Sequence, residues 1–144
     1  VTGFDVSDIA LAKANQFATD SEVNIQYSLC DIDSFDWQAN LYDAGIGIFI
    51  QFADPEMRAR IFKQIHQTLK PGGLFILQGY TPKQLEYKTG GPSLIEHLYT
   101  EEMIRELSQG YEILDLQCYE KELSEGARHA GMSALLGMVA KKSL

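Results

Sequence analysis

Residues 54–80 read DPEMRARIFKQIHQTLKPGGLFILQGY. Asp54 followed by Pro55 is a helix start: a carboxylate accepts from the first free amide donors, and proline has no N–H to satisfy in the first turn. Met57, Ile61, Phe62, Ile65 and Leu69 recur at helical spacing, so the helix should run to the stop at Pro71-Gly72-Gly73. LFILQGY, residues 74–80, follows at once as a short apolar run, the pattern of a strand buried on both faces. Helix, glycine stop and buried strand in direct succession make one unit of a parallel α/β sheet.

Upstream the same logic repeats. YDAGIGIFIQF, residues 42–52, is a second continuous apolar run and is expected to be a parallel strand buried on both faces. VNIQYSLCDI, residues 23–32, alternates Val23, Ile25, Tyr27 and Leu29 against polar neighbours, a strand of period two. The opening VTGFDVSD reads as a strand ending at Asp5, after which Ser7 or Asp8 caps a helix carrying Ile9, Ala10, Leu11, Ala14, Phe17 and Ala18. Downstream, residues 81–99 are punctuated by Gly and Pro and read as a surface loop or lid, of a length that is often functional. TEEMIRELSQG is a capped helix with a glycine stop, and residues 111–123 and 133–142 are two strand-like runs forming an antiparallel pair. The whole is an α/β domain, residues 1–144, with a mostly parallel sheet and an antiparallel edge strand.

Composition narrows the function classes. A chain of 144 residues can bury one core, and 45% hydrophobic with 22% charged residues is ordinary for a soluble globular domain. A net charge of -8 argues against broad phosphate-backbone contact, so no nucleic-acid partner is expected. No apolar run is long enough to cross a bilayer and no signal peptide is evident, which points to no membrane partner and a cytoplasmic location. Cys30 and Cys118 read as buried free thiols, and the histidines and cysteines show no metal-ligand spacing, so no metal site is expected.

Ligands of an open parallel sheet sit beyond the carboxyl ends of its strands. Asp5 ends the first strand; its carboxylate has the lone pairs to grip a vicinal diol, or it simply helps to start the helix at Ser7. Asp31 is placed to accept from an exocyclic adenine amine with Ile32 on the ring, or to close an Asx turn. Gly47 allows close approach of a ligand to backbone, or of a packing side chain. His129, in the turn SEGARHAGM, lies on the same edge; it either takes part at a substrate pocket or is a solvated turn residue. His66 reads as a surface residue of the helix.

Taken in order, these stretches resemble the class I S-adenosylmethionine-dependent methyltransferases over essentially the whole chain. VTGFDVSDIALAKANQFA looks like that family's second strand, ribose-binding acid and following helix; LCDIDSFDW looks like the adenine turn. YDAGIGIFIQF resembles the fourth strand, LKPGGLFIL the signature leading into the fifth, and the last two runs the sixth and seventh. GYTPKQLEYKTGGP and SEGARHAGMSALLGMVAKK are similar to bacterial small-molecule methyltransferases related to tellurite-resistance and thiol-methylating enzymes, in which the Glu-Gly-x-x-His-x-Gly turn recurs.

The resemblance implies a Rossmann-like fold and S-adenosylmethionine as cofactor. Asp5 would hold the ribose with Val6 near the adenine, Asp31 and Ile32 would frame the adenine, and Gly47 and Ile48 would lie on the methionine portion. His129 would be catalytic, and residues 81–99 would cover a small acceptor, a thiol or chalcogen. Gln51 stands where many relatives carry a histidine. The family's first strand and Gly-x-Gly loop precede the residues given, so the resemblance implies a truncated domain lacking its central strand. An oligomer or a complementing segment would fill the gap. Two rival readings stand beside this one: a non-catalytic interaction module that has lost cofactor binding, and a nicotinamide dinucleotide-binding domain.

Overall fold

In a computed structural model of the chain, residues 1–124 and 130–144 are described. They fall into two compact units, Val1–Asp36 and Trp37–Leu144, each taken separately below.

The first unit is strand, helix, strand. β1 (Thr2–Asp5) and β2 (Gln26–Leu29) pair in parallel, with Asp5 opposite Leu29. α1 (Asp8–Asp20) lies between them, and Ser7 is its cap: the hydroxyl accepts from the Ala10 amide at 3.2 Å. Leu11, Ala14 and Ala18 turn inward at helical spacing, whereas Ile9 and Phe17, expected on that face, are exposed. Phe35 stacks on Phe4 with ring centroids 4.3 Å apart, which fixes the turn after β2 against β1.

The second unit is a four-stranded sheet in the order β3-β4-β6-β5. Its strands are β3 (Tyr42–Ile48), β4 (Leu69–Tyr80), β5 (Tyr111–Ser124) and β6 (Ala130–Lys142). β3 and β4 run in parallel, while β6 runs against both β4 and β5, so one strand is reversed and it lies one place in from the edge. The two-stranded sheet is parallel and the four-stranded sheet mixed, a Rossmann-like α/β arrangement.

α2 (Pro55–Thr68) starts as read: the Asp54 carboxylate accepts from the Met57 amide at 2.8 Å, with Pro55 in the first turn. Strand pairing begins earlier than the LFILQGY run suggests, at Leu69 opposite Tyr42. The register then jumps, so Ala44 meets Leu74 and the Lys70–Gly73 segment bulges out of the ladder. Gly72 has φ 78°, and a Cβ on Gly73 would meet the carbonyl oxygens of Lys70 at 2.9 Å and Asp43 at 3.1 Å. The Pro-Gly-Gly stop is thus a steric requirement of that bulge.

One face of this sheet packs on helices. Phe62 of α2 meets Phe75 of β4 edge-on at 5.3 Å, and Ser108, capping α4 (Glu101–Leu107), touches Met138 of β6. The segment between β4 and α4 wraps the carboxyl end and contributes α3 (Gln84–Tyr87) and a single 3-10 turn (Ile95–His97). Its Leu98 joins Tyr80, Leu123 and Leu135 in a buried cluster. The opposite face is bare along β3, where Ile46 is 69% and Ile48 47% exposed. β3 is therefore buried on one face and not on both, because α2 and α4 pack on the same side. Cys118 also departs from the reading, being exposed on β5; both cysteines are free. Among the described residues, no helix is long and apolar enough to cross a membrane.

Packing at the carboxyl end of β4 is tight enough to test. A Cβ at Gly79 would stand 2.6 Å from two ring carbons of Tyr99 and 2.8 Å from the Gln51 side-chain oxygen. Gly79→Ala should lower stability in urea unfolding by about 1–3 kcal/mol. An unchanged midpoint would contradict the seating of Tyr99 on this strand.

Candidate functional site

The carboxyl ends of β3 and β4 open on a cavity of about 350 Å³, lined by Phe49, Gln51, Phe52, Tyr80, Gly91, Pro92, Ser93, Leu94 and His97. Chain geometry at its floor is unusual. Phe49 has φ 53°, a left-handed conformation that costs a bulky residue about 1–2 kcal/mol. Its amide donates to the Gln78 carbonyl at 2.9 Å and its ring stacks on Tyr80 at 4.7 Å, so β4 holds it in place. Gly91, φ 85°, lies flat on the other aromatic partner: a Cβ there would come within 2.7 Å of the Tyr80 ring.

Gln51, 3% exposed, joins three chain segments. Its carbonyl oxygen accepts from the Tyr80 amide at 2.6 Å, and its amide nitrogen donates to the Tyr80 and His97 carbonyls at 2.9 Å each. Its own backbone carbonyl lies 3.0 Å from His97 Nδ1. Arg58, 6% exposed on α2, donates to the Glu96 carbonyl at 2.8 Å. Further out, buried Gln84 accepts from the Ala134 amide at 2.9 Å and donates to the Thr89 hydroxyl, which donates to the Met132 carbonyl at 2.6 Å. Residues 81–99 are thus bonded to β4, β6 and α2 as a wall.

Three tyrosines in or beside that segment play different parts. Tyr80 lines the cavity. Tyr99 is buried with its hydroxyl unpartnered, and burial pushes its phenol well above the usual range. Tyr87 points outward, where its hydroxyl donates to the Glu120 carboxylate; Lys83 pairs with the same carboxylate. Hydrogen bonds from Lys83 and then Tyr87 hold the Glu120 carboxyl below its ordinary value, and the bond to Glu120 raises Lys83 and Tyr87 in turn.

The sequence-predicted residues divide between the two units. In the first, Asp5 and Asp31 lie at the same carboxyl edge, linked by the Cys30 amide donating to the Asp5 carbonyl at 3.1 Å. Asp5 Oδ1 accepts from the Ser7 amide at 2.8 Å, so the carboxylate supports the helix start while remaining exposed. Asp31 Oδ1 accepts from the Ser34 amide at 2.8 Å and the Asp33 amide at 2.9 Å, the Asx turn that its surroundings suggested. Those bonds, Ser34 first, hold its carboxyl below the usual value. Val6 is 71% exposed and Ile32 half-buried.

In the second unit Gly47 is buried, and a Cβ there would meet Ile50 Cδ1 at 2.9 Å, so side-chain packing alone accounts for the glycine. Ile48 is the next residue on the exposed face. His129 lies outside the described residues. His66 is half-buried, its ring edge-on to Tyr111 at 4.9 Å. Sequence reasoning passed over His97 altogether, since IEHLY carries no motif; the one available signal was a histidine in the long segment before α4.

A sheet ordered β3-β4-β6-β5, with one reversed strand, two helices on one face and a cavity at the carboxyl ends of β3 and β4, is the carboxy half of a class I methyltransferase fold. A family described as "Methyltransferase domain" matches residues 1–73. Thiocyanate methyltransferase 1 of Arabidopsis thaliana is 34% identical over 94 residues, 64% of this chain and 40% of its own length. The chain therefore spans well under half of that relative. A solved S-adenosylmethionine-dependent methyltransferase from Methanosarcina mazei superposes with a TM-score of 0.78 at 21% identity, covering 100% of this chain and 82% of its own. TehB from Haemophilus influenzae gives 0.73 at 19% identity, with 99% and 50% covered. The chain belongs to the class I S-adenosylmethionine-dependent methyltransferase family.

Two measurements check this geometry. Gln51→Leu takes the side-chain partner from the Tyr80 amide and the His97 carbonyl, while the Tyr80 carbonyl keeps the Tyr99 amide, and should cost about 2–3 kcal/mol in urea unfolding; a loss under half that would refute the clamp. The second concerns Glu120. A lowered carboxyl pKa adds stability above the ordinary glutamate value of 4.5 and loses it as the pH falls through the lowered one. The stability gap between wild type and Glu120→Gln should therefore be present at neutral pH and close below pH 4.5. A gap that persisted in acid would show that the ion pair is not its source.

Proposed function

We propose that this chain is the greater part of a methyltransferase domain that transfers the methyl group of S-adenosylmethionine to a small acceptor, a thiol or chalcogen. The carrying observation is the cavity, which lies at the carboxyl ends of β3 and β4, where an α/β sheet takes its ligands, in a chain of this family. The cavity lining named above includes no Asp, Glu, Lys or Arg, which suits a compact acceptor rather than a phosphate or a polymer. Displacement at a sulfonium needs the acceptor held in line and water kept out, and aromatic walls fixed by Gln51 and Phe49 do both. The likeness to a thiocyanate methyltransferase supports a soft nucleophile.

On this reading Asp5 accepts from the ribose hydroxyls, Asp31 and Ile32 frame the adenine with Val6 nearby, and Gly47 and Ile48 meet the methionine portion. The cofactor fits the donor set in one respect: Asp5 and Asp31 each commit a single named oxygen to turn amides at the edge of the β1-β2 sheet. The reading treats residues 1–144 as one domain completed by a further strand, from a complementing segment or a second copy. β3 is the terminal strand of its sheet, and its outer backbone edge is the place for such a strand.

Calorimetric titration with S-adenosylhomocysteine tests the proposal. The chain should bind it, with Asp5→Ala weakening affinity at least about tenfold through the lost charge-assisted bonds. Absence of binding would favour the interaction-module reading, and preference for a nicotinamide dinucleotide would replace it.

A further inference from the structure

We propose that His97 Nε2 is the proton acceptor for a thiol bound in the β3-β4 cavity, an assignment that rests on the methyl-transfer reading and deepens it. The argument begins with a tautomer. His97 Nδ1 lies 3.0 Å from the Gln51 backbone carbonyl, and a carbonyl oxygen can only accept. Nδ1 must therefore carry the ring hydrogen, which leaves the lone pair of the neutral imidazole on Nε2.

The ring is held from several directions. The His97 carbonyl accepts from the Gln51 side chain, the His97 amide donates to the Leu94 carbonyl at 3.1 Å, and the preceding carbonyl accepts from Arg58. The His97 side chain is 16% accessible, and it lines the cavity. A base fixed in one tautomer, partly shielded from water and open to a ligand cavity has the geometry of a general base.

The charged neighbours agree with that role. Glu96, on the same turn, places Oε1 4.0 Å from Nε2, too far to occupy it with a hydrogen bond. The α2 cation, Arg58, is committed to the Glu96 carbonyl, and the Tyr99 phenol stays protonated. From the end of β3, Gln51 is neutral.

The chemistry selects the acceptor. Ordinary imidazole and thiol pKa values differ by about two units, so proton transfer between them is accessible, whereas an aliphatic hydroxyl is a far weaker acid. The S–H bond breaks with its proton passing to Nε2. S-Adenosylmethionine, when bound, would supply the methyl group: the sulfur lone pair would form the new bond to the methyl carbon as the carbon–sulfonium bond breaks, its pair staying on the thioether. The proton then leaves the exposed side of the turn to solvent.

Side-chain ¹⁵N NMR of the full chain with thiophenol as the probe is the test. His97 should show hydrogen on Nδ1 in the neutral state, and thiophenol should shift the Nε2 resonance. His97→Asn keeps a donor toward the Gln51 carbonyl and removes Nε2; it should keep Tm within about 2 °C of wild type and bind thiophenol at least about tenfold more weakly. Hydrogen on Nε2, probe shifts confined to other residues, or unchanged binding by His97→Asn would each overturn the assignment. Should His97→Asn unfold, the wild-type tautomer and Nε2 shift decide alone. The parent reading fails separately: a chain that binds thiophenol at His97 but not S-adenosylhomocysteine retains this assignment and loses the transferase.

Discussion

One buried primary amide organises the second unit. Gln51 spends its oxygen on the Tyr80 amide and its nitrogen on two carbonyls, one 29 and one 46 positions away in sequence. In a site with 3% exposure, an unmade bond would cost the desolvation of each group, so the arrangement is close to all-or-none. The end of β3, the end of β4 and the turn bearing His97 are therefore fixed together. The ring of Tyr99 then settles on Gly79, Phe49 is held in its left-handed conformation, and His97 keeps its Nδ1–H on the same residue's backbone. A cavity built this way is preformed.

Much of this fold was legible because local rules agreed with the final packing. Asp54, Pro55 and the Lys-Pro-Gly-Gly run announced α2 and the strand after it, and the bulge at Gly72 and Gly73 shows why those residues are needed. The two strand-like runs at residues 111–123 and 133–142 matched a long antiparallel ladder. Asp31 in DIDSFD was readable as an Asx turn for the same local reason. Whether Asp5, Asp31 or Gly47 also touches a ligand is a different matter, since the contacts they make within the chain are those of helix start, turn and packing.

What stayed illegible depends on partners far along the chain. Arg58, between Met57 and Ala59, would be placed outward by its charge, yet it is buried, because the Glu96 carbonyl comes to meet it from 38 positions away. Gln51 looked like a departure from a histidine pattern; in the fold it positions a different histidine. Phe49 has positive φ with no glycine or asparagine to signal it; its amide bond to Gln78 and its stack on Tyr80, both on β4, hold it there. The bare face of β3 was hidden for the opposite reason: an apolar run reports what a strand could bury and says nothing of whether a helix arrives to cover it.

The central claim is that residues 81–99 form a fixed wall, tied to the sheet through Gln51, and do not open as a lid. Native-state hydrogen exchange of the Tyr80, Tyr99 and Ala134 amides tests it most directly, because Tyr80 donates to the Gln51 side chain that holds the segment, Tyr99 ends it and donates to Tyr80, and Ala134 donates to its Gln84. The account predicts that they exchange with the same opening free energy as the β4–β6 ladder amides. Fast exchange of the Tyr80 and Tyr99 amides, while the ladder remains protected, would contradict it.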